Sequence, residues 1–409
     1  MKKKRILYIE SNIDGTVGGS YFSLLFLIEG LDRNNYEPIV VFYQSNYLIP
    51  RYKKAGCKVL LIKKIKPFDV VCLFPILKAI ENYSILRFLV LAPFKIFQKI
   101  FNYVFTFLVP SFKCWFLLKK EKIDLIHLNN TLGRPQEWIL ASIFTKSKVI
   151  AHQRGVNSVF PPQTLFWARH LRAIICISNA VKNNLLDHGF SKEILFKIYN
   201  GLDPDKFTVC RCEADVLKEF QIANGTPLIG IVGNIKEWKG QETVIRAVTY
   251  VKESYPNIRC FIVGDVSKND LYYFNLLKAI VKDNNLQNNI LFTGLRKDVP
   301  DLVNSFSVLI HASIRPEPFG RTLLEGMALR KPIISTRIGA PIEIVIDGET
   351  GILVSPGNAE ELATAILKLL STPILAEEMG KVGYERLLKE FSLRKNCEHT
   401  ENLYDAILS

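Results

Sequence analysis

Residues 307–337 read SVLIHASIRPEPFGRTLLEGMALRKPIISTR. An apolar run ends at Ser313, Pro316 and Pro318 stiffen a loop, and Gly320 permits a tight entry into a helix expected over 321–329. A second apolar run, PIISTR, follows at 332–337. Strand, loop, helix and strand follow one another within about thirty residues, the length of a crossover unit. Its strands, apolar on both faces, belong in a parallel sheet covered by helices.

The same unit recurs on both sides of this stretch. Upstream, RILYIE (5–10) leads through the loop Asp14-Gly-Thr-Val-Gly-Gly-Ser20 into an apolar-periodic helix from about Tyr21 to Leu31. PIVVFY (38–43), KVLLI (58–62), DLIHL (124–128), KVIAH (148–152) and AIICIS (173–178) continue the series. It restarts after a polar stretch near 203–226 with PLIGIVG (227–233), RCFIVG (259–264), NILFTG (289–294), SVLIHAS and PIISTR, and closes with GILVS (351–355). Between the first two of these, Val244, Ala247, Val248 and Val251 repeat with helical spacing. The chain is therefore α/β, with two Rossmann-like domains expected at 1–200 and 201–392 and a C-terminal helix at about 393–409 that can return to the first. Ligands of such sheets bind beyond the carboxyl ends of the strands, which places the site in the cleft between the domains.

Composition agrees with two globular units. The chain has 409 residues, 48% of them apolar and 22% charged, with no repeat or low-complexity tract. Its eight cysteines are scattered and give neither a disulfide framework nor paired CxxC zinc spacing. The apolar run after Lys2-Lys3-Lys4-Arg5 stops at Glu10, too soon for a signal peptide, and reads as a first strand. Of the net charge of +14, a surplus of 12 (19 Lys and Arg against 7 Asp and Glu) falls in residues 1–120. Such a basic face meets either nucleic acid or an anionic membrane.

The chemistry gathers at the predicted strand ends. The amides of Arg321, Thr322 and Leu323 open a helix, a place that attracts phosphate. Glu317 lies in the loop beside them and Glu325 one turn inside the helix. The arrangement suits a molecule phosphorylated in its middle with hydroxyls at both ends, as a nucleotide sugar is. Lys239 follows the strand PLIGIVG and brings a cation to the same edge. Gly18 and Gly19 suit a close backbone approach to a ligand. His152 ends the strand KVIAH, with Arg154 two residues on. Asp203-Pro-Asp205 spells a DxD, but no second acidic cluster accompanies it, so no metal site is expected.

The stretch 315–335 resembles the E-x7-E signature of retaining GT-B glycosyltransferases of family 4, also called group 1. VGNIKEWKGQE (232–242), YNGLDPDKF (199–207) and the Gly18-Gly19 loop resemble the same family. The resemblance implies the GT-B fold, two Rossmann-like domains facing across a cleft. It further implies that Glu317 hydrogen-bonds hydroxyls of the donor sugar, that Glu325 holds the ribose, that Lys239 neutralises the diphosphate, and that His152 touches the donor sugar. Phe319, Gly320, Arg321, Thr322 and Leu323 would complete the donor site, and Arg154 is a candidate for the acceptor. Where the family often carries Arg, this chain has Asn234, which shifts leaving-group stabilisation onto Lys239 and the helix start. The implied reaction needs no cofactor and no metal: a sugar moves from a UDP- or GDP-sugar with retention of configuration. A sugar-nucleotide epimerase of the same shape is the alternative.

The acceptor falls to the N-terminal domain, whose segment 68–118 holds 13 aromatic residues among many Lys and Arg. Over 93–109 the polar residues Lys95, Gln98, Lys99, Asn102 and Thr106 form one helical stripe. The longest uncharged run, 100–112, falls short of the roughly 20 residues that span a bilayer. The segment is expected to lie on an anionic membrane surface, the inner face of the cell membrane, with a lipid-linked saccharide as acceptor. A helix buried in the domain core is the alternative. Nucleic acid is not an expected partner, because the aromatics accompany Leu, Ile and Val rather than a polar stacking surface.

Overall fold

The computed structural model describes residues 2–12, 17–69, 92–130, 132 and 135–409. Residues 13–16 of the first loop and 70–91 of the aromatic segment lie outside the described residues. Two parallel sheets form. The first has seven strands: β1 (Lys4–Glu10), β2 (Tyr36–Phe42), β3 (Lys58–Leu61), β4 (Leu125–Asn129), β5 (Lys148–Gln153), β6 (Ala173–Cys176) and β7 (Leu195–Lys197). The second has six: β8 (Leu228–Val232), β9 (Arg259–Val263), β10 (Ile290–Gly294), β11 (Val308–His311), β12 (Ile333–Thr336) and β13 (Ile352–Val354). The anticipated strands form within a residue or two of their expected limits. The short edge strand β7, in which only Leu195 is buried, was not anticipated.

Burial on both faces explains the parallel arrangement. Along β1, Leu7 and Ile9 join one apolar cluster and Ile6 and Tyr8 the opposite one, all of them fully buried. Strand order is β3-β2-β1-β4-β5-β6-β7 in the first sheet and β10-β9-β8-β11-β12-β13 in the second. The order reverses direction between β1 and β4, and again between β8 and β11. At such switch points the loops diverge and leave a crevice. Glu10 pairs in register with Asn129 at the first; the loops after β8 and β11 flank the second.

The chain crosses between the sheets twice, and the crossings hold each other. Leu202 N–H donates to the Phe391 carbonyl (2.9 Å) and Leu393 N–H to the Leu202 carbonyl (3.0 Å). A side chain at Gly201 would strike the Leu393 backbone, which fixes the crossing as a close one. The final helix, Leu393–Leu408, then packs on the first, Gly19–Gly30, with Cys397 against Gly30. Asp32 N–H donates to Glu401 (2.7 Å), Tyr36 donates to Asp405, and Tyr404 bonds His127.

The aromatic segment forms a continuous helix over Ala92–Lys120, with one π turn at Val104–Leu108. By length and composition alone it is able to cross a membrane, which the 13-residue uncharged run did not suggest. None of the residues Ala92–Tyr103 is buried, so the alternative of a core helix does not hold. Phe97, Ile100 and Phe112 are 57%, 60% and 66% exposed. The polar stripe, by contrast, turns partly inward. Asn102 accepts from Phe68 N–H (2.7 Å) and donates to its carbonyl (2.8 Å), and Thr106 donates to the Asn102 carbonyl (2.7 Å).

Candidate active site

Glu317 is built into the loop after β11 by backbone as well as side-chain contacts. Its strand-like bridge with Gly339 leaves no room for a Cβ there, since one would lie 2.5 Å from Glu317 N, and Gly339 takes φ +71°. Ala340 N–H donates to the Glu317 carbonyl (2.9 Å). The carboxylate receives Lys239 Nζ at 2.7 Å on both oxygens, Ser313 Oγ at 2.7 Å, and lies 3.2 Å from His311 Nε2. Burial alone would raise its pKa; the neighbouring His311 and the Lys239 ammonium outweigh that and hold it well below the usual carboxylate range. Lys239 comes from the loop after β8, where Gly240 at φ +74° turns the chain against the Ala312 carbonyl, and its Nζ also lies 4.2 Å from the Trp238 ring centre. The two loops of the second switch point thus supply one residue each to a single ion pair.

The helix Arg321–Ala328 begins at Gly320, φ +91°. Of its three opening amides, that of Leu323 donates to the Gly320 carbonyl (3.0 Å), and its side chain is fully buried. That leaves the amides of Arg321 and Thr322 for the expected anion site, a correction to the three-amide reading. Glu325 faces the cleft with Arg321 Nη2 at 3.3 Å. The Arg321 guanidinium also lies 5.5 and 5.8 Å from the Phe22 and Phe26 ring centres of the first domain, a cation on two aromatic faces.

These groups share one cleft of about 630 Å³. Gly18, Gly19, Arg154, Asn234, Lys239, Glu317, Phe319, Gly320, Arg321, Thr322 and Glu325 all line it. Of the residues singled out in the sequence, Leu323 and His152 are absent from its wall. Asn130, Asn200, Lys236 and Trp238 line it as well and had not been singled out. His311 and Ser313, which orient Glu317, were also missed, although both stand in the run SVLIHAS.

His152 belongs instead to a buried polar chain. Tyr8, Tyr404, His127, His152 and Arg154 follow one another, with His127 Nδ1 2.6 Å from Tyr404 Oη, His127 Nε2 3.1 Å from His152 Nδ1, and Arg154 Nη2 3.2 Å from the same Nδ1. Burial, reinforced by Arg154, pushes His127 down to about 3 and His152 well below its ordinary value, so both are neutral. Arg154 can only donate, so His152 Nδ1 accepts and the proton of the neutral ring lies on Nε2, a buried atom without a partner. Arg154 carries the chain to the cleft floor, donating to Asn129 (2.8 Å) and Asn200 (2.5 Å). Asn129 in turn donates to Glu10 (2.5 Å), whose pKa burial lifts to about 7.

Asp203 accepts from Asp205 N–H (3.2 Å) and caps the turn in which both residues lie. Among the described residues no three His, Cys, Asp or Glu side chains converge as metal ligands.

Comparison with known proteins follows the same division of the chain. Residues 17–206 match the family model Glycosyltransferase Family 4, and residues 214–386 match Glycosyl transferases group 1. A trehalose synthase of Pyrococcus horikoshii is 30% identical over 47% of this chain and 47% of its own length. The capsular polysaccharide biosynthesis glycosyltransferase CapM of Staphylococcus aureus is 26% identical over 58% of this chain and 62% of its own. The chain thus spans about half to three fifths of the length of these curated relatives. The crystal structure of Anabaena Alr3699/HepE in complex with UDP superposes with a TM-score of 0.79 at 20% identity, covering 98% of this chain and 100% of that one. With both halves matched and two switch-point sheets facing across one cleft, the chain belongs to the group 1 glycosyltransferases, family 4, of GT-B fold, a membership that implies a retaining mechanism.

Proposed function

We propose that this chain transfers a sugar from a UDP- or GDP-sugar to a lipid-linked saccharide in cell-surface polysaccharide synthesis, working without metal at the inner face of the cell membrane. One observation carries the reading: Lys239 and Glu317, from the two loops of one switch point, form an ion pair beside the open helix start of Arg321 and Thr322. The diphosphate sits on those amides, and Lys239 turns from Glu317 to its oxygens as the leaving group gains charge. Glu317, released and ionised, accepts hydroxyls of the sugar, and Glu325 exchanges Arg321 for the ribose. His152, neutral with its proton on Nε2, offers that N–H to the sugar once the ligand reaches it. The leaving phosphate takes the acceptor's proton on the same face, so no second carboxylate is needed.

Support for the individual parts differs in kind. The capsular relative is a reason to favour a surface polysaccharide, and the UDP complex of the Anabaena protein a reason to try UDP-sugars first. The basic first third and the exposed apolar helix favour a membrane location. The test is incubation with a panel of UDP- and GDP-sugars, with and without a lipid-linked acceptor and with and without chelator. Nucleoside diphosphate released only when acceptor is present, and undiminished by chelator, is the expected result. Interconversion of the donor sugar without any acceptor would instead identify an epimerase and overturn the reading.

A further inference from the structure

At the end of the first sheet remote from the cleft, where β5 and β6 begin, lies a pocket of about 590 Å³. Lys146, Lys148, Arg169, His170 and Arg172 line it, and no carboxylate does. Among the described residues these four Lys and Arg side chains have no ion-pair partner. Other cations of this protein do find carboxylates, as Arg5 does in Glu37 and Glu121 and Arg211 in Glu219 and Asp298. Mutual repulsion within an unpaired cluster is relieved by an anion. The backbone holds the cations in place, with Lys148 N–H on the Asp124 carbonyl (3.0 Å) and Arg172 N–H on the Val149 carbonyl (2.8 Å).

An apolar groove of about 460 Å³ adjoins this pocket, between the helix Val109–Lys120 and the helix Gln136–Ile143. Leu108, Phe112, Trp115, Leu140, Ala141 and Phe144 wall it. The two sites share one turn of chain: Leu140, Ala141 and Phe144 face the groove, whereas Ser142, Ile143 and Thr145 face the pocket. Trp115 Nε1 donates to the Phe144 carbonyl (3.3 Å) and ties the walls together. Phe144, 68% exposed, and Phe112 stand at its mouth. The groove continues the exposed apolar face of the Ala92–Lys120 helix.

We infer that groove and pocket together form a binding site for an anionic phospholipid of the bilayer, with an acyl chain in the groove and the phosphate among Lys146, Arg169 and Arg172. Charge complementarity selects this occupant: a long apolar chain ending in a phosphate satisfies both halves, and a neutral lipid satisfies one. The site rests on the membrane location proposed above and adds to it a contact on the second helix and the Arg169–Arg172 turn. Because the cleft opens at the opposite ends of the strands, the site sets the tilt of the first domain on the surface without touching the reacting groups.

The experiment is co-sedimentation of the full chain with vesicles of phosphatidylcholine, with and without phosphatidylglycerol. Arg169→Glu/Arg172→Glu is compared with the parent and with Lys381→Glu/Lys389→Glu, a change of equal charge in the second domain. Each cation near an anionic surface contributes enough that the Arg pair is expected to weaken binding to anionic vesicles roughly tenfold or more, while the Lys pair binds as the parent does. Phe112→Ser/Phe144→Ser is expected to weaken binding to both kinds of vesicle. Transfer to a water-soluble acceptor and the melting temperature stay at parental values in all three variants. A parent that binds anionic vesicles, with both charge variants binding equally well, overturns the lipid site and leaves the membrane location standing. A parent that sediments with neither vesicle overturns both. Calorimetric binding of inorganic phosphate that is abolished in the Arg pair, with vesicle binding unchanged, would assign the pocket to a soluble phosphate and also overturn it.

Discussion

Lys239 Nζ lies 2.7 Å from each oxygen of the Glu317 carboxylate, so in the ligand-free protein the two groups assigned to donor chemistry neutralise each other. The pair keeps Glu317 ionised within a mostly buried pocket and holds Lys239 at the cleft wall. In the proposed reaction a bound diphosphate competes for the ammonium, and the carboxylate becomes free when the cation leaves. Lys239→Ala removes both actions. Turnover at saturating donor is expected to fall on the order of 10² to 10³, and stability by roughly 1 to 3 kcal/mol, because His311 and Ser313 still contact the carboxylate. Steady-state assays beside urea melts measure the two; a folded variant with most of its turnover would remove Lys239 from the leaving-group role.

Glu325 faces the cleft one turn inside the Arg321–Ala328 helix, its charge shared with Arg321. If its carboxylate holds the ribose, Glu325→Ala forfeits one or two charge-assisted hydrogen bonds of about 1.5 to 3 kcal/mol each, roughly 10- to 150-fold in donor affinity for the first. Calorimetry with the nucleoside diphosphate reads this directly. Unchanged affinity would show that Glu325 serves only to position Arg321.

Glu10 gives a pH-dependent signature of the polar network. Burial lifts its pKa from 4.5 to about 7 in the folded protein. Between those values the folded state retains a proton that the unfolded chain has released, so stability falls as pH rises from 4.5 to 7 and is level above. The shift corresponds to about 3 kcal/mol. Glu10→Gln keeps an acceptor for Asn129 and abolishes the effect. Urea denaturation is expected to find parent and variant alike near pH 4.5 and the variant more stable at pH 8; a gap independent of pH would contradict the assignment.

The long exposed helix yields the fourth prediction. Lys95→Glu with Lys99→Glu is expected to weaken binding to anionic vesicles more than tenfold, at roughly 1 kcal/mol per lysine, and to leave a salt-resistant remainder from the apolar face. Equal sedimentation of parent and variant would oppose a membrane role for this helix.

The sheets were legible because parallel strands buried on both faces leave uninterrupted apolar runs, as RILYIE and PIVVFY do; β7, with one buried residue in three, leaves none. The cleft was legible where the residue is tied to a strand end and a turn, as with Glu317, Lys239 and Gly320. Side-chain direction at a strand end was not. His152 could have faced the cleft or the core, and the decision rests on His127, two strand positions away on β4, and on Tyr404 from the far end of the chain. Leu323 was misplaced because the first turn of its helix closes on Gly320, a detail of backbone geometry that residue types do not encode. The stripe of Lys95, Gln98, Lys99, Asn102 and Thr106 has the right period, but period gives no sign of inward or outward. Asn102 turns in because Phe68, far along the chain, presents an unpaired N–H and carbonyl to it.

The return of the Leu393–Leu408 helix to the first domain has a consequence for biosynthesis. Tyr404 is fully buried against Tyr8 and His127, and Cys397 fills the space beside Gly30, so β1 and the Gly19–Gly30 helix complete their core with a helix that is made only after the whole second domain. The second domain, contained within residues between the two crossings, is free to fold before that helix is made, whereas the first waits unsealed until residues 393–408 have been translated. A nascent chain stalled before residue 393 would display the apolar flank of the Gly19–Gly30 helix to chaperones, and translation of residues 393–408 becomes the step that closes the domain.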